Sequence, residues 1–127
     1  MHNQAILIGH LGQDPEIHQK DEGPMLAVAS LATRREWKDD QGEKKEEVEW
    51  HRVVFFGKLA AVVKEHLKKG ALIFVEGRIH TRKWQDEASN DRYGTEIIAQ
   101  ELRMLKRPPA KSDAAETPNS QGDTAPQ

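Results

Sequence analysis

The chain contains no cysteine, and this absence limits both its chemistry and the ways in which it can be stabilised. Disulfide bonds, thiolate nucleophiles and cysteine-ligated zinc are excluded, so the reducing cytoplasm is the expected location. No apolar run approaches the roughly 20 residues that a membrane-spanning helix needs. The start, MHNQAILIGHLG, has no basic segment followed by an apolar block, and a signal peptide is therefore not expected.

An excess of positive charge is also missing, since the 127 residues carry a formal net charge of −2. This excludes a uniformly basic nucleic-acid binder but leaves room for a local basic groove, because binding depends on where the charges lie. The charges are segregated along the chain. Residues 36–49 hold seven acids and three lysines, whereas residues 78–83 hold three cations and no acid.

The order of the predicted elements indicates an all-β fold with one short helix. Five segments have strand character: 4–11, 25–37, 47–56, 71–84 and 95–105. Residues 58–69 change to a helical period before Gly70 ends them, and Gly77 inside the fourth strand predicts a bend or bulge. Leu59, Val62, Val63, His66 and Leu67 are predicted to share the apolar face of this helix.

Three strands, a helix and two strands follow the plan of a five-stranded OB-fold barrel, with the helix between strands 3 and 4. A small open α+β sheet would give the same order of elements. Residues 1–107 form the predicted domain. Residues 108–127 contain no aromatic residue, Ile, Leu or Val, so we expect a disordered tail.

The third predicted strand, EVEWHRVVFF, carries large side chains on both faces. Alternation places Trp50, Arg52 and Phe56 on one face and Val53 and Phe55 on the other. One apolar face is enough for a core, so we expect Val53 and Phe55 to fill it. Exposed aromatic rings beside cations suit the binding of bases through their π-faces and of phosphates through charge. Two other strands place an arginine and a tryptophan on one side, as Arg35 with Trp37 and Arg82 with Trp84.

Three motifs resemble bacterial single-stranded DNA-binding proteins: AILIGHLGQDPE, EWHRVVFFGKLA, and VEGRIHTRKWQD with DRYGTEI. They follow in order over about residues 3–105. The resemblance implies an OB-fold that assembles as a homotetramer, without enzymatic activity or a cofactor. It implies sequence-independent binding and protection of single-stranded DNA (ssDNA) in replication, recombination or repair. The expected location is the bacterial cytoplasm, in association with the nucleoid.

The resemblance also assigns roles to residues. The base-stacking aromatics are Trp37, Trp50, Phe56 and Trp84. The cations expected to line the aromatic face and contact phosphates or bases are Arg35, Arg52, Lys58, Lys69, Arg78, Arg82 and Lys83. His51 is expected at a subunit interface. His18 and His80 replace residues that are often basic in the family, so we expect weaker DNA contacts there. No metal-binding spacing and no nucleophile–base pair is present, so neither metal ligands nor catalytic residues are predicted.

The tail departs from the family, because it lacks the short acidic tip that recruits replication and repair proteins. Its acids, Asp113, Glu116 and Asp123, are not clustered, so recruitment through the tail is not expected. A specialised paralogue or a truncated chain would both explain this. Two other functions stay open: an OB-fold interaction module of the primosome type, dimeric and with weaker ssDNA binding, and a nucleic-acid hydrolase, which only the histidines and acids support.

Overall fold

A computed structural model describes residues 1–19 and 23–107 of the protein. Its elements in chain order are β1 (Ala5–Leu11), β2 (Glu16–His18), β3 (Leu26–Lys38), β4 (Lys44–Phe56), α1 (Lys58–His66), β5 (Leu72–Gln85) and β6 (Asp91–Lys106). The five predicted strands and the helix are all present. The three-residue β2, which pairs with the start of β3, was not predicted. The predicted tail at 108–127 lies outside the described residues.

The five long strands close into a barrel. β1 pairs with β5, β5 with β6, β6 with β4, and β4 with β3. A short pairing of β1 with β3, at His10↔Ala32 and Leu11↔Leu31, completes the ring. The pairing of β4 with β6 is parallel, and the other pairings are antiparallel. Because α1 lies between the third and fourth long strands, the predicted five-stranded OB-fold barrel is confirmed.

The core fills the inside of this barrel. Phe55, Val53 and Leu31 are fully buried, and each contributes about 1.5–3 kcal/mol through removal of its side chain from water. The prediction that Val53 and Phe55 fill the core is therefore confirmed. Ala60 and Val63 of α1, together with Leu67 directly after it, close the barrel and belong to the same cluster.

The predicted apolar face of the helix was partly wrong. Val62 is 42% exposed and His66 is also exposed, so the helix buries a narrower stripe than its period suggested. Within α1, the buried residues are Ala60 and Val63.

Gly77 lies at a bulge, as its place inside a strand predicted. The register between β5 and β6 shifts by one residue between Glu76↔Glu101 and Gly77↔Ala99. A Cβ at Gly77 would lie 2.1 Å from the carbonyl oxygen of Ile98, so only glycine lets the two backbones approach this closely. The bulge also changes which residues of β6 face inward: Ile97 and Ala99 before it, and Leu102 and Met104 after it.

Both long hairpins extend beyond the barrel, and an aspartate fixes the tip of each. Asp39 Oδ1 accepts hydrogen bonds from the backbone N–H groups of Gln41 and Glu43, each at 2.9 Å. Asp86 Oδ1 accepts hydrogen bonds from backbone N–H groups at the other tip, including that of Asn90 at 2.9 Å. The backbone bond from Asn90 and the Arg92 guanidinium lower the pKa of Asp86 below its ordinary value.

Candidate nucleic-acid interface

Side chains that point away from the core on β4, β5 and β6 form one surface. The register places Arg52 opposite Glu96 across β4 and β6, and His80 opposite Glu96 across β5 and β6. Because residues opposite each other point to the same face, the even-numbered residues of these segments share a side. We call this surface the outer face; it contains Trp50, Arg52, Phe56, Arg78, His80, Arg82, Trp84 and Glu96.

Three large aromatic side chains of the outer face are open to solvent. Trp50 is 61% exposed, Phe56 is 49% exposed and Trp84 is 40% exposed. The neighbouring Phe55, by contrast, is fully buried in the core. Exposed aromatic rings grouped on one surface are typical of a binding site, because a soluble monomer gains nothing from leaving them in water.

Glu96 lies at the centre of this surface and organises its cations. Its side chain is only 8% exposed, and Arg52 Nε lies 3.2 Å from Glu96 Oε1. His80 Nδ1 lies 3.1 Å from Glu96 Oε2, and Arg82 Nε lies 3.6 Å from Oε1, too far for a hydrogen bond. A buried carboxylate is costly unless it is paired, so these contacts hold the two arginines at fixed positions beside the aromatic rings.

Two tryptophans carry an arginine over the indole ring. The guanidinium carbon of Arg82 lies 4.5 Å from the ring centroid of Trp84, and that of Arg35 lies 4.2 Å from the ring centroid of Trp37. These are cation–π contacts, and each holds a positive charge against one face of an indole ring. No such contact covers Trp50 within the described residues.

The predicted aromatic residues do not all lie on one face. In the β3–β4 hairpin, Arg35 pairs with Glu47 and Trp37 pairs with Lys45. These odd-numbered residues continue the side that carries Phe55 nearer the barrel, whereas the outer face continues along the even-numbered residues. Trp37 and Arg35 therefore lie on the opposite face of the hairpin from Trp50.

Several predicted cations also lie away from the outer face. Lys83 points to the other side of β5, where its Nζ lies 3.5 Å from an Asp91 carboxylate oxygen and 5.8 Å from the Tyr93 ring centroid. Lys58 begins α1, and the backbone N–H of Lys69 donates to Asp14 Oδ1 at 2.8 Å. Their DNA contacts stay predictions.

His51 lies on the side of β4 that faces away from Trp50. Its Nε2 lies 2.8 Å from the hydroxyl oxygen of Thr33 on the neighbouring strand β3, and this contact fixes the orientation of the imidazole ring. The ring is half-buried in the single chain. Its role at a subunit interface stays a prediction.

Comparison with known proteins identifies the family. The chain matches the model of the single-strand binding protein (SSB) family over residues 2–105. This chain belongs to the SSB family. A solved complex of the Plasmodium falciparum SSB with ssDNA is 34% identical, with a TM-score of 0.78 over 84% of this chain and 97% of that one. A deletion mutant of the single-stranded DNA binding protein from Thermus aquaticus is 30% identical, with a TM-score of 0.72. That match covers 83% of this chain but 51% of the Thermus chain, so this SSB spans about half its length.

The sequence of this SSB did not reveal the role of Glu96. The acid lies in the motif DRYGTEI, but its partners come from β4 and β5. The paired residues of β4 and β6 are more than 40 positions apart in the sequence, and alternation within one strand cannot predict their pairing. A predicted register of β6 with its neighbours would have placed this acid between two strands that carry arginines, and that placement would have indicated its role.

Residues 1–19 and 23–107 contain no group of three or more His, Cys, Asp or Glu side chains that could hold a metal ion. Within the same residues, every helix is too short or too polar to cross a membrane.

Proposed function

We propose that the protein binds and protects ssDNA without sequence preference during replication, recombination or repair, and that it does so without enzymatic activity or a cofactor. The observation that carries this proposal is the outer face, where exposed aromatic rings lie beside fixed cations. Trp50, Phe56 and Trp84 are open to solvent, and Arg52 and Arg82 stand between them around Glu96. The family and the ssDNA in the Plasmodium falciparum complex support the same substrate.

The chemistry of the outer face explains why binding would ignore base sequence. Every base has a π-face, and stacking on an aromatic side chain contributes about 1–3 kcal/mol per base by alanine substitution. Arg52, Arg78 and Arg82 supply positive charge on the same surface for the phosphates. The net charge of −2 does not oppose this, because the acids are concentrated in residues 36–49, whereas residues 78–83 carry three cations and no acid.

The expected path of the ssDNA follows from the two faces of the β3–β4 hairpin. Trp50 lies on the outer face, whereas Trp37 and Arg35 lie on its opposite side. A DNA strand whose bases stack on both tryptophans has to pass around this hairpin. We propose that it does so, with Lys58, Lys69 and Lys83 contacting phosphates beyond the outer face.

We further propose that the protein assembles as a homotetramer in the bacterial cytoplasm, associated with the nucleoid. Ile6 and Ile8 point outward from β1 and are 56% and 54% exposed in the single chain. An outward apolar strand face of this kind supports association between copies, with His51 at a second contact. The mass in solution should then equal four subunits, while a mass of two would favour the primosome-type interaction module.

Titration of tryptophan fluorescence with oligo(dT), repeated at several salt concentrations, tests the proposal. We expect saturable quenching and an affinity that falls as salt rises, because bound phosphates release counterions. Replacing Trp50 and Trp84 together by alanine should weaken binding about 30-fold or more, since two stacked bases are lost.

Tyr93→Ala is the matched control for these substitutions. Tyr93 is 63% exposed, more than either tryptophan, but it lies on the other side of the β5–β6 hairpin beside Lys83. The control should retain the affinity of the unchanged protein to within about threefold, which is well below the loss expected for two stacked bases. Equal affinity of the double variant and the unchanged protein would mean that the two tryptophans are packing residues and would overturn the stacking proposal.

A further inference from the structure

The Trp50 ring occupies space that a side chain at Gly12 would need. A Cβ built on Gly12 would lie 2.4 Å from Cζ3 and 2.6 Å from Cη2 of Trp50, closer than real Cβ contacts come. Cζ3 and Cη2 belong to the outer edge of the six-membered ring. The tryptophan therefore does not project freely into solvent, although it is 61% exposed; the end of its ring rests against backbone.

The fold fixes the position of this backbone. The N–H of Gly12 donates to the carbonyl oxygen of Ser30 at 3.1 Å, which continues the β1–β3 pairing by one residue. Trp50 lies opposite Ala32 on β3, so its ring must cross β3 to reach Gly12. The side chains of Ser30 and Ala32 share the face of Trp50 and are small, and this leaves the path across β3 open.

Gly94 lies against the ring of Trp84 in the same way, but less closely than Gly12 lies against Trp50. A Cβ there would lie 3.0 Å from Cζ3 and 3.2 Å from Cη2 of Trp84. These distances are tighter than most real contacts but can be relieved by a shift of a few tenths of an ångström. Neither Gly12 nor Gly94 has a positive φ, so the backbone at both positions accepts any L-residue, and what glycine supplies there is space.

We propose that Gly12 is a positioning residue for ssDNA binding and that Gly94 plays the same part more weakly. This inference rests on the proposed function, because it gives Gly12 a role only through the stacking of a base on Trp50. A tryptophan on a strand surface loses rotamer freedom when it binds, and a ring already held in place loses less. Gly12 thus keeps Trp50 in one orientation before DNA arrives.

The inference makes a distinctive prediction about Gly12→Ala. The added methyl group displaces the ring, and the ring can move because it is largely solvated. The barrel should therefore fold, while the affinity for oligo(dT) falls about three- to fivefold. Trp50→Ala should weaken binding about fivefold or more. Gly94→Ala should cost about twofold, since its contact can be relieved by a small shift.

The test is a double-mutant cycle with oligo(dT) titrations of the unchanged protein, Gly12→Ala, Trp50→Ala and the double variant. If Gly12 acts through Trp50, the double variant binds no more weakly than Trp50→Ala alone. If the two losses multiply, Gly12 acts independently of Trp50, and the positioning role is wrong. Circular dichroism of each variant establishes that it is folded.

The other outcomes separate this inference from the proposed function. If Trp50→Ala weakens binding and Gly12→Ala does not, the contact between the Trp50 ring and Gly12 does not contribute to binding. The inference is then wrong, whereas base stacking on Trp50 stands. If Trp50→Ala leaves affinity unchanged, stacking on Trp50 is wrong and the inference falls with it. Should Gly12→Ala fail to fold, the same substitution in a Trp50→Phe protein decides the question. Phenylalanine has the shorter ring, so the combined variant should fold and bind like Trp50→Phe; failure there as well would show that Gly12 is required by the barrel and would overturn the inference.

Discussion

Arg52 Nε lies 3.2 Å from the buried carboxylate of Glu96, across the parallel pairing of β4 and β6. This contact joins the strand that carries Trp50 and Phe56 to the strand that lies beside Trp84. Arg82 approaches the same carboxylate from β5. Two cations of the proposed DNA surface are thus held by one internal anion, which fixes their positions but also offsets part of their charge.

Glu96→Gln should separate these two effects. The amide still accepts a hydrogen bond from Arg52, but the charge pairing is lost, so we expect the free energy of unfolding to fall by about 1–2 kcal/mol. The surface gains one positive charge. The slope of log affinity for oligo(dT) against log salt concentration should then steepen by up to about 0.7.

Glu101→Gln is the matched control for Glu96→Gln. It removes the same charge from the same strand, at an exposed carboxylate that lies 3.2 Å from Arg103. Five residues along β6 separate it from Glu96, about 16 Å and so more than a Debye length at physiological salt. Its salt slope should match that of the unchanged protein. Equal slopes for both variants would show that Glu96 does not modulate the DNA surface.

Phe55 and Phe56 are neighbours in sequence with opposite surroundings, and this makes them a matched pair. Phe55 is fully buried, so Phe55→Ala should lower the free energy of unfolding by about 3–5 kcal/mol. Phe56 is 49% exposed, and Phe56→Ala should cost about 1 kcal/mol or less while weakening ssDNA binding about fivefold or more. Chemical denaturation and oligo(dT) titration measure the two quantities. A stability loss at Phe56 as large as that at Phe55 would make Phe56 a core residue.

Arg82 can act both through its positive charge and through its planar guanidinium, which lies over the Trp84 ring. Lysine keeps the charge but cannot stack its head group on the indole. We expect Arg82→Lys to retain the salt slope and to weaken oligo(dT) binding about two- to fivefold, the loss of one exposed cation–π contact. Arg82→Gln should lower the affinity further and flatten the slope. Indistinguishable affinities for the lysine variant and the unchanged protein would limit the role of Arg82 to charge.

Asp86 should make the β5–β6 hairpin sensitive to acid. Its pKa is lowered in the folded protein by the backbone bond from Asn90 and the bond from Arg92, so the ionised form is favoured by folding. The resulting stability is present above the ordinary pKa of an aspartate and is lost as the pH falls through the lowered value. Asp86→Asn should therefore unfold at a lower temperature than the unchanged protein at pH 7, and the difference should shrink as the pH falls through the lowered pKa of Asp86.

Asp40→Asn provides the comparison for this pH series. Asp40 is an exposed acid at the tip of the other long hairpin, where Asp39 accepts the backbone hydrogen bonds. The thermal unfolding of this variant should follow that of the unchanged protein at every pH. A difference for Asp86→Asn that stays constant between pH 7 and pH 2 would assign its effect to something other than ionisation.

Local patterns predicted much of this fold. The five long strands, the helix and the inward direction of Val53 and Phe55 follow from alternation and period, which are properties of neighbouring residues. The three-residue β2 is too short to show any period. Burial of the helix was overestimated at Val62 and His66, because the helical period does not tell how much of an apolar face the neighbouring strands cover.

The candidate site was harder to predict, because it depends on register between strands. Parity within one strand correctly grouped Trp50 with Arg52, and Trp84 with Arg82. It could not tell that Trp37 lies on the other side of its hairpin, since that requires the pairing of β3 with β4. The contact of Trp50 with Gly12 joins three strands and leaves no local signal.

The β3–β4 hairpin outside the barrel has a consequence for how such a protein can change. All residues of β3 from Arg34 onward, and of β4 up to Trp50, are exposed and add nothing to the core. The length of this arm is therefore independent of the stability of the barrel. On the proposed path of the ssDNA around this hairpin, lengthening or shortening it by whole residue pairs would change how many nucleotides one subunit covers while the barrel unfolds at the same temperature. On that proposal, the DNA footprint and the stability of the barrel depend on different residues of the chain.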